Sequence, residues 1–205
     1  MSAIIKKVWV LKVMLLLSSS QAFSQGVVFN YYSTGTGKNI TLNYSISYPN
    51  SDIGFGLGWT INSLKHPDNQ ANIYYKRQYA TRFIDHLHLN FYYHRHVLRN
   101  LENLNPFLFY DFQGTHSAAM NDFAPSSVDG KIFHGPYFWL DNTIGAGFNV
   151  KIFGDCYLQQ KAGVGAHFII PSSVELPDVE KIITLQNATW EFIGLLNVGI
   201  LFIIK

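Results

Sequence analysis

TWEFIGLLNVGILFII, residues 189–204, decides the fold class. Trp190, Phe192, Leu196, Val198, Ile200, Phe202 and Ile204 fall on one side of an extended chain, since successive side chains of a strand point to opposite faces. Thr189, Glu191, Asn197 and Gly199 fall on the other, with Ile193, Leu195, Leu201 and Ile203. The segment is also long. Strands of soluble domains average about 5–6 residues, whereas a tilted strand that crosses a bilayer needs about 9–11.

The same alternation runs back along the chain. In Tyr137–Phe153, Phe138, Leu140, Ile144, Ala146, Phe148, Val150 and Ile152 oppose Asp141, Thr143, Gly145, Gly147, Asn149 and Lys151. Asn142 is the one polar residue on the apolar side. Five further segments alternate likewise: Asn39–Tyr48, Ile53–Asn62, Arg82–His96, Pro106–Gln113 and Cys156–Phe168. A shorter one lies at Val27–Ser33. No helical period competes with them.

The spacers between these segments alternate in length. Those near Pro49–Asp52, Arg99–Asn103 and Gly154–Asp155 are short, and those near Lys65–Tyr79, His116–Pro136 and Pro171–Asn187 are long. Outer-membrane barrels keep short turns on the periplasmic side and long loops outside. With that rule the strand ending at Tyr48 runs inward and needs an outward partner, which Val27–Ser33 supplies through Gly35-Thr36-Gly37. The expectation is an all-β chain: an eight-stranded antiparallel up-and-down transmembrane barrel. Closure has a physical reason, because lipid offers nothing to the unpaired backbone of a sheet edge.

Composition agrees. Of 205 residues, 48% are hydrophobic and 14% charged, where soluble domains carry about 25% charged. Part of the surface therefore faces something other than water. Residues 1–24 read as a secretory signal peptide, with Lys6 and Lys7 before the apolar Val8–Leu17 and small residues at Ala22-Phe23-Ser24. That apolar core is too short to span a bilayer as a helix, which needs about 20 residues. Residues 25–205 form the barrel domain. Without the leader's three lysines the 15 bases fall to 12 against 13 acids. No basic stripe remains, so nucleic acid is not an expected partner. The lone Cys156 excludes an internal disulfide and reads as a small buried apolar residue.

The whole mature chain resembles the small eight-stranded outer-membrane barrels, especially the uncharacterised ones of bacteroidete-type bacteria. The residues that carry the likeness are the leader, Ser33-Thr34-Gly35-Thr36-Gly37, Phe55-Gly56-Leu57-Gly58-Trp59, Asn105-Pro106-Phe107 and the closing strand. The resemblance implies residence in the bacterial outer membrane, contact with its lipid, and a monomer.

Strand parity supplies the candidate site. His86, His88, Asp111, Asp141, Lys151, Lys161 and Glu191 fall on inner faces. Charges in a narrow lumen lose most of their water and need partners. Lys151 and Lys161 are therefore expected to meet acids such as Asp141, Asp111 or Glu191, forming a structural network that plugs the barrel. His86, His88, His94 and His96 share a face, but His86 and His94 are eight residues apart, about 26 Å along a strand. One ion cannot take all four, and a polar lining is the simpler reading. No metal or cofactor is expected.

The lipid A deacylases resemble this architecture and use a serine, a histidine and an acid on the outer face. The nearest set here is His116-Ser117 with Asp122. Adjacent side chains of a strand diverge, which works against a direct His–Ser hydrogen bond. Three Asn-X-Ser/Thr triplets, at Asn39, Asn43 and Asn187, carry no meaning in a bacterial barrel. Tyr31, Tyr44, Tyr48, Trp59, Tyr93, Phe138 and Trp190 read as girdles at the bilayer interfaces. The sequence thus favours a non-enzymatic barrel, structural or binding an unnamed extracellular ligand through its long loops. A lipid-modifying enzyme and a narrow pore are the alternatives.

Overall fold

A computed structural model describes residues 24–34, 37–62, 87–98, 103–117, 132–175 and 189–204. These form eight strands: β1 (Ser24–Thr34), β2 (Gly37–Tyr48), β3 (Ser51–Asn62), β4 (Leu87–His96), β5 (Leu104–Ser117), β6 (Ile132–Phe153), β7 (Cys156–Glu175) and β8 (Thr189–Ile204). Each pairs antiparallel with its sequence neighbours, and β1 pairs with β8 from Gln25↔Ile204 to Thr34↔Leu195. The sheet is therefore a closed barrel without a free edge around its wall.

Pro49-Asn50 joins β2 to β3, and Gly154-Asp155 joins β6 to β7. Gly154 has a φ of +50°, a left-handed conformation that glycine adopts without steric cost. The β4–β5 connection is tied back to the sheet by Val97 N–H donating to the Pro106 carbonyl at 3.1 Å. These short turns lie at the same end as Ser24 and Ile204. The connections 63–86, 118–131 and 176–188 leave from the opposite end.

Two of the expected long loops are shorter than the sequence suggested. β6 begins at Ile132, so Ile132–Pro136 are strand, and β7 runs on to Glu175, so Pro171–Glu175 are strand too. The two segments pair with each other, Ile132↔Glu175 to Tyr137↔Pro171, with a register shift between His134 and Tyr137. That irregularity absorbs Pro136, which has no N–H to give a regular ladder. The expected start of β4 at Arg82, the turn residues Gly35 and Thr36, and residues 1–23 of the leader lie outside the described residues, while Ser24, the leader's last residue, opens β1.

Polarity is inverted relative to a water-soluble domain. Along β4, His88, Asn90, Tyr92 and His94 are buried, while Leu89, Phe91 and Tyr93 are exposed. Leu57, Leu89 and Phe192 are 61%, 62% and 68% exposed, while Asn30, His94 and His167 are wholly buried. Water on the outside would penalise both halves of this arrangement, whereas hydrocarbon outside penalises neither. Asn142, on the outer face, has its side-chain oxygen satisfied by the Tyr110 hydroxyl at 2.7 Å. The barrel is built to sit in lipid.

Large side chains occupy much of its interior, as a barrel of eight strands permits. Large rings of one strand lie over glycines of the next. A Cβ at Gly145 or Gly163 would run into the Phe109 ring, one at Gly147 into Phe107, and one at Gly54 into Tyr92. Phe107, Phe109, Tyr32 and Leu195 form one buried apolar cluster, and Val28, Tyr92 and Leu201 another. The lumen is thus more apolar than its strand parity alone suggested.

Candidate functional site: the lumen

The middle of the lumen is organised by Asp111 of β5. Its Oδ2 accepts from Lys161 Nζ of β7 at 2.8 Å and from the Tyr32 hydroxyl of β1 at 2.9 Å. Its Oδ1 accepts from Asn90 Nδ2 of β4 at 2.9 Å. Lys161 also donates to the Tyr32 hydroxyl at 3.1 Å. Its ammonium lies 5.0 Å from the centroids of Tyr32 and Tyr92, and 5.5 Å from that of Phe109. All four polar residues are buried, with Asp111 and Lys161 1% and 3% exposed.

Register explains why this set converges. Asp111 stands opposite Tyr92 on β4 and Thr143 on β6, so its side chain enters at mid-height. β1 and β5 are four strands apart in a closed ring of eight, so they face each other across the lumen. The Tyr32–Asp111 hydrogen bond therefore crosses the barrel. A second tie, from Asn39 Nδ2 of β2 to Gln113 Oε1 of β5 at 3.0 Å, lies one inward position nearer the long-loop end of β5.

Two more carboxylates have base partners. Asp141 of β6 sits directly opposite His167 of β7, and His167 Nδ1 is hydrogen-bonded to Asp141 Oδ1. Toward the short-turn end, Asp52 Oδ2 lies 2.9 Å from His96 Nε2 and 4.0 Å from His94 Nδ1. His94 is stacked between Tyr92 and Phe107, at centroid distances of 4.3 and 4.2 Å. Each described buried acid in the lumen thus faces at least one group able to carry positive charge, as burial of charge requires.

Of the seven residues expected in the network, the structure brings Asp111 and Lys161 together. It places Asp141 in a pair with His167 instead of a lysine. His88 is buried on the inner face, over Gly58. Lys151 is not part of the plug. It is exposed at the short-turn end, beside the register shift between Lys151 and Phe153. The backbone of Glu191 pairs with His167, while its side chain lies outside the described residues, as does His86. Tyr32, Asn90, Asp52 and His167 were not singled out beforehand. Parity could have put them inside, but their partners depend on the stagger of strands that are not sequence neighbours.

His116 is exposed on the outer face and packs on Phe138 at 4.8 Å between centroids. The Ser117 side chain and Asp122 lie outside the described residues. Among the described residues no cluster of His, Cys, Asp or Glu suits a metal ion. Cys156 is buried as a free thiol.

No protein-family model matches the chain, and no curated protein matches it. Among solved structures it is similar to the N-terminal β-barrel domain of OprF from Pseudomonas aeruginosa. There the identity is 9% and the TM-score 0.47, over 87% of this chain and 97% of that one. It is also similar to a major outer membrane protein from Thermus thermophilus, with 10% identity and a TM-score of 0.43, over 90% and 100%. For Neisserial surface protein A the identity is 7% and the TM-score 0.37, over 88% and 94%.

Proposed function

We propose that the chain is a small, non-enzymatic barrel of the bacterial outer membrane, exported by residues 1–24. Its closed lumen makes it a lipid-embedded scaffold for the long connections 63–86, 118–131 and 176–188. The reading is supported by an apolar exterior, by closure of the sheet through β1 and β8, and by short turns gathered at one end. With the short turns in the periplasm, the three long connections reach the cell exterior, where they are free to bind a ligand. A closed sheet leaves no strand edge for a second copy to complete, which supports reading the barrel as a monomer. Its grouping with the bacteroidete-type barrels rests on the sequence pattern alone.

One observation carries the non-conducting character: the Tyr32–Asp111 bond that spans the lumen, with Lys161 beside it. A pore needs a continuous water path, and this layer bridges the lumen at mid-height. Planar-bilayer recording on the purified barrel tests it. No steady single-channel conductance is expected, and a stable open level in salt would remove the scaffold reading in favour of a pore.

A further inference from the structure

The short-turn mouth of the barrel holds a cavity of about 440 Å³, within the size range of small-ligand pockets. Its floor is apolar: Leu201 and Ile203 line it, and both belong to the Val28–Tyr92 packing that shuts off the lumen above. Its walls are polar, with Asp52, His96, Ser47, Asn105, Tyr48 and Tyr157. Among the described residues, no lysine or arginine lines it.

Charge settles what such a cavity takes. The Asp52 side chain is 7% exposed, and its one side-chain hydrogen bond among the described residues is from His96. Asp52 is the one carboxylate among the described residues that line the cavity. A carboxylate with a single hydrogen-bond partner favours a cation as its next neighbour. Asn105 offers an amide oxygen, and Tyr48 and Tyr157 offer aromatic walls, which attract ammonium groups. We infer that this mouth is a binding site for a small organic ammonium ion, with Asp52 as its counter-ion and His96 fixing the carboxylate. In the orientation proposed above the site faces the periplasm, but binding itself does not depend on that orientation.

The test uses the full barrel in detergent micelles, with n-butylammonium as the probe and the His96 ring resonances as the readout. A saturable shift is expected in the wild type, at least tenfold weaker in Asp52→Asn. Filling the cavity by Ser47→Trp, which leaves the charge in place, should abolish it. n-Butanol and butyrate should produce no comparable shift. The site is refuted by the absence of a saturable shift, by equal binding to Asp52→Asn, or by butanol or butyrate matching the ammonium. Should Asp52→Asn not fold, undiminished binding to Ser47→Trp refutes it alone.

Discussion

Replacing Asp111 by alanine strikes the centre of the plug. The substitution removes the acceptor of three hydrogen bonds, from Lys161, Tyr32 and Asn90. It leaves the Lys161 ammonium in a site 3% exposed without a counter-charge. Orphaning one member of a buried ion pair costs about 3–5 kcal/mol, and each of the two neutral donors left unpaired adds about 1 kcal/mol or more unless it finds a new partner. Asp111→Ala should therefore destabilise the barrel by about 5 kcal/mol or more, a large share of a typical folding free energy of about 5–15 kcal/mol. Lys161→Met should cost less, because Asp111 keeps Tyr32 and Asn90 as donors. The double variant Asp111→Leu/Lys161→Met should recover much of the loss, since apolar replacement of a buried pair is often neutral. Urea titration in lipid vesicles, followed by tryptophan fluorescence and by the heat-dependent shift of the gel band, gives the three values and their coupling. A loss under about 1 kcal/mol for Asp111→Ala, or a double variant no more stable than the single one, would falsify the buried-pair reasoning.

The lipid-facing belt predicts that Leu57→Arg, on the outer face of β3, costs about 2–4 kcal/mol of folding free energy in vesicles, while a change at the exposed Lys151 leaves the midpoint unmoved. Lumen packing predicts that Gly147→Val is destabilising by about 1–3 kcal/mol, because the new Cβ would lie 2.5 Å from the Gln160 carbonyl oxygen and 2.7 Å from Phe107 ring carbons; a normal midpoint in the same urea titration would show that both have room to move. The orientation predicts that external protease cuts intact cells within 63–86, 118–131 or 176–188; cleavage only after the outer membrane is opened would reverse it.

Much of the wall was legible because period two is a local signal. Alternation at Ile53–Asn62 and Thr189–Ile204 matched the strands to within two residues. Parity of loop lengths recovered β1, the weakest strand, which runs from Ser24 to Thr34 rather than Val27 to Ser33. The upper reaches of β6 and β7 were hidden by Pro136, Pro171 and Ser172-Ser173, residues that usually mark loops and here lie in a ladder with a register shift. The plug was legible only as a set. Lys161 and Asp111 stand two strands apart, and Tyr32 and Asp111 four apart, so their meeting is decided by shear, which no single strand encodes. Lys151 misled because parity gives direction but not height. Parity puts it on the inner face, but it is exposed at the short-turn end of β6. Asp52 was read as part of a turn, and so its pairing with His96 was not foreseen.

The closed lumen is tested most directly by through-space proton contacts across it. In the folded barrel in micelles, nuclear Overhauser cross-peaks should connect the Tyr32 ring with the β-protons of Asp111 and the ε-protons of Lys161, and the Lys161 ammonium protons should exchange slowly with water. Assigned Tyr32 and Lys161 resonances without these cross-peaks, and ammonium protons exchanging as freely as in solution, would contradict a lumen bridged at its centre.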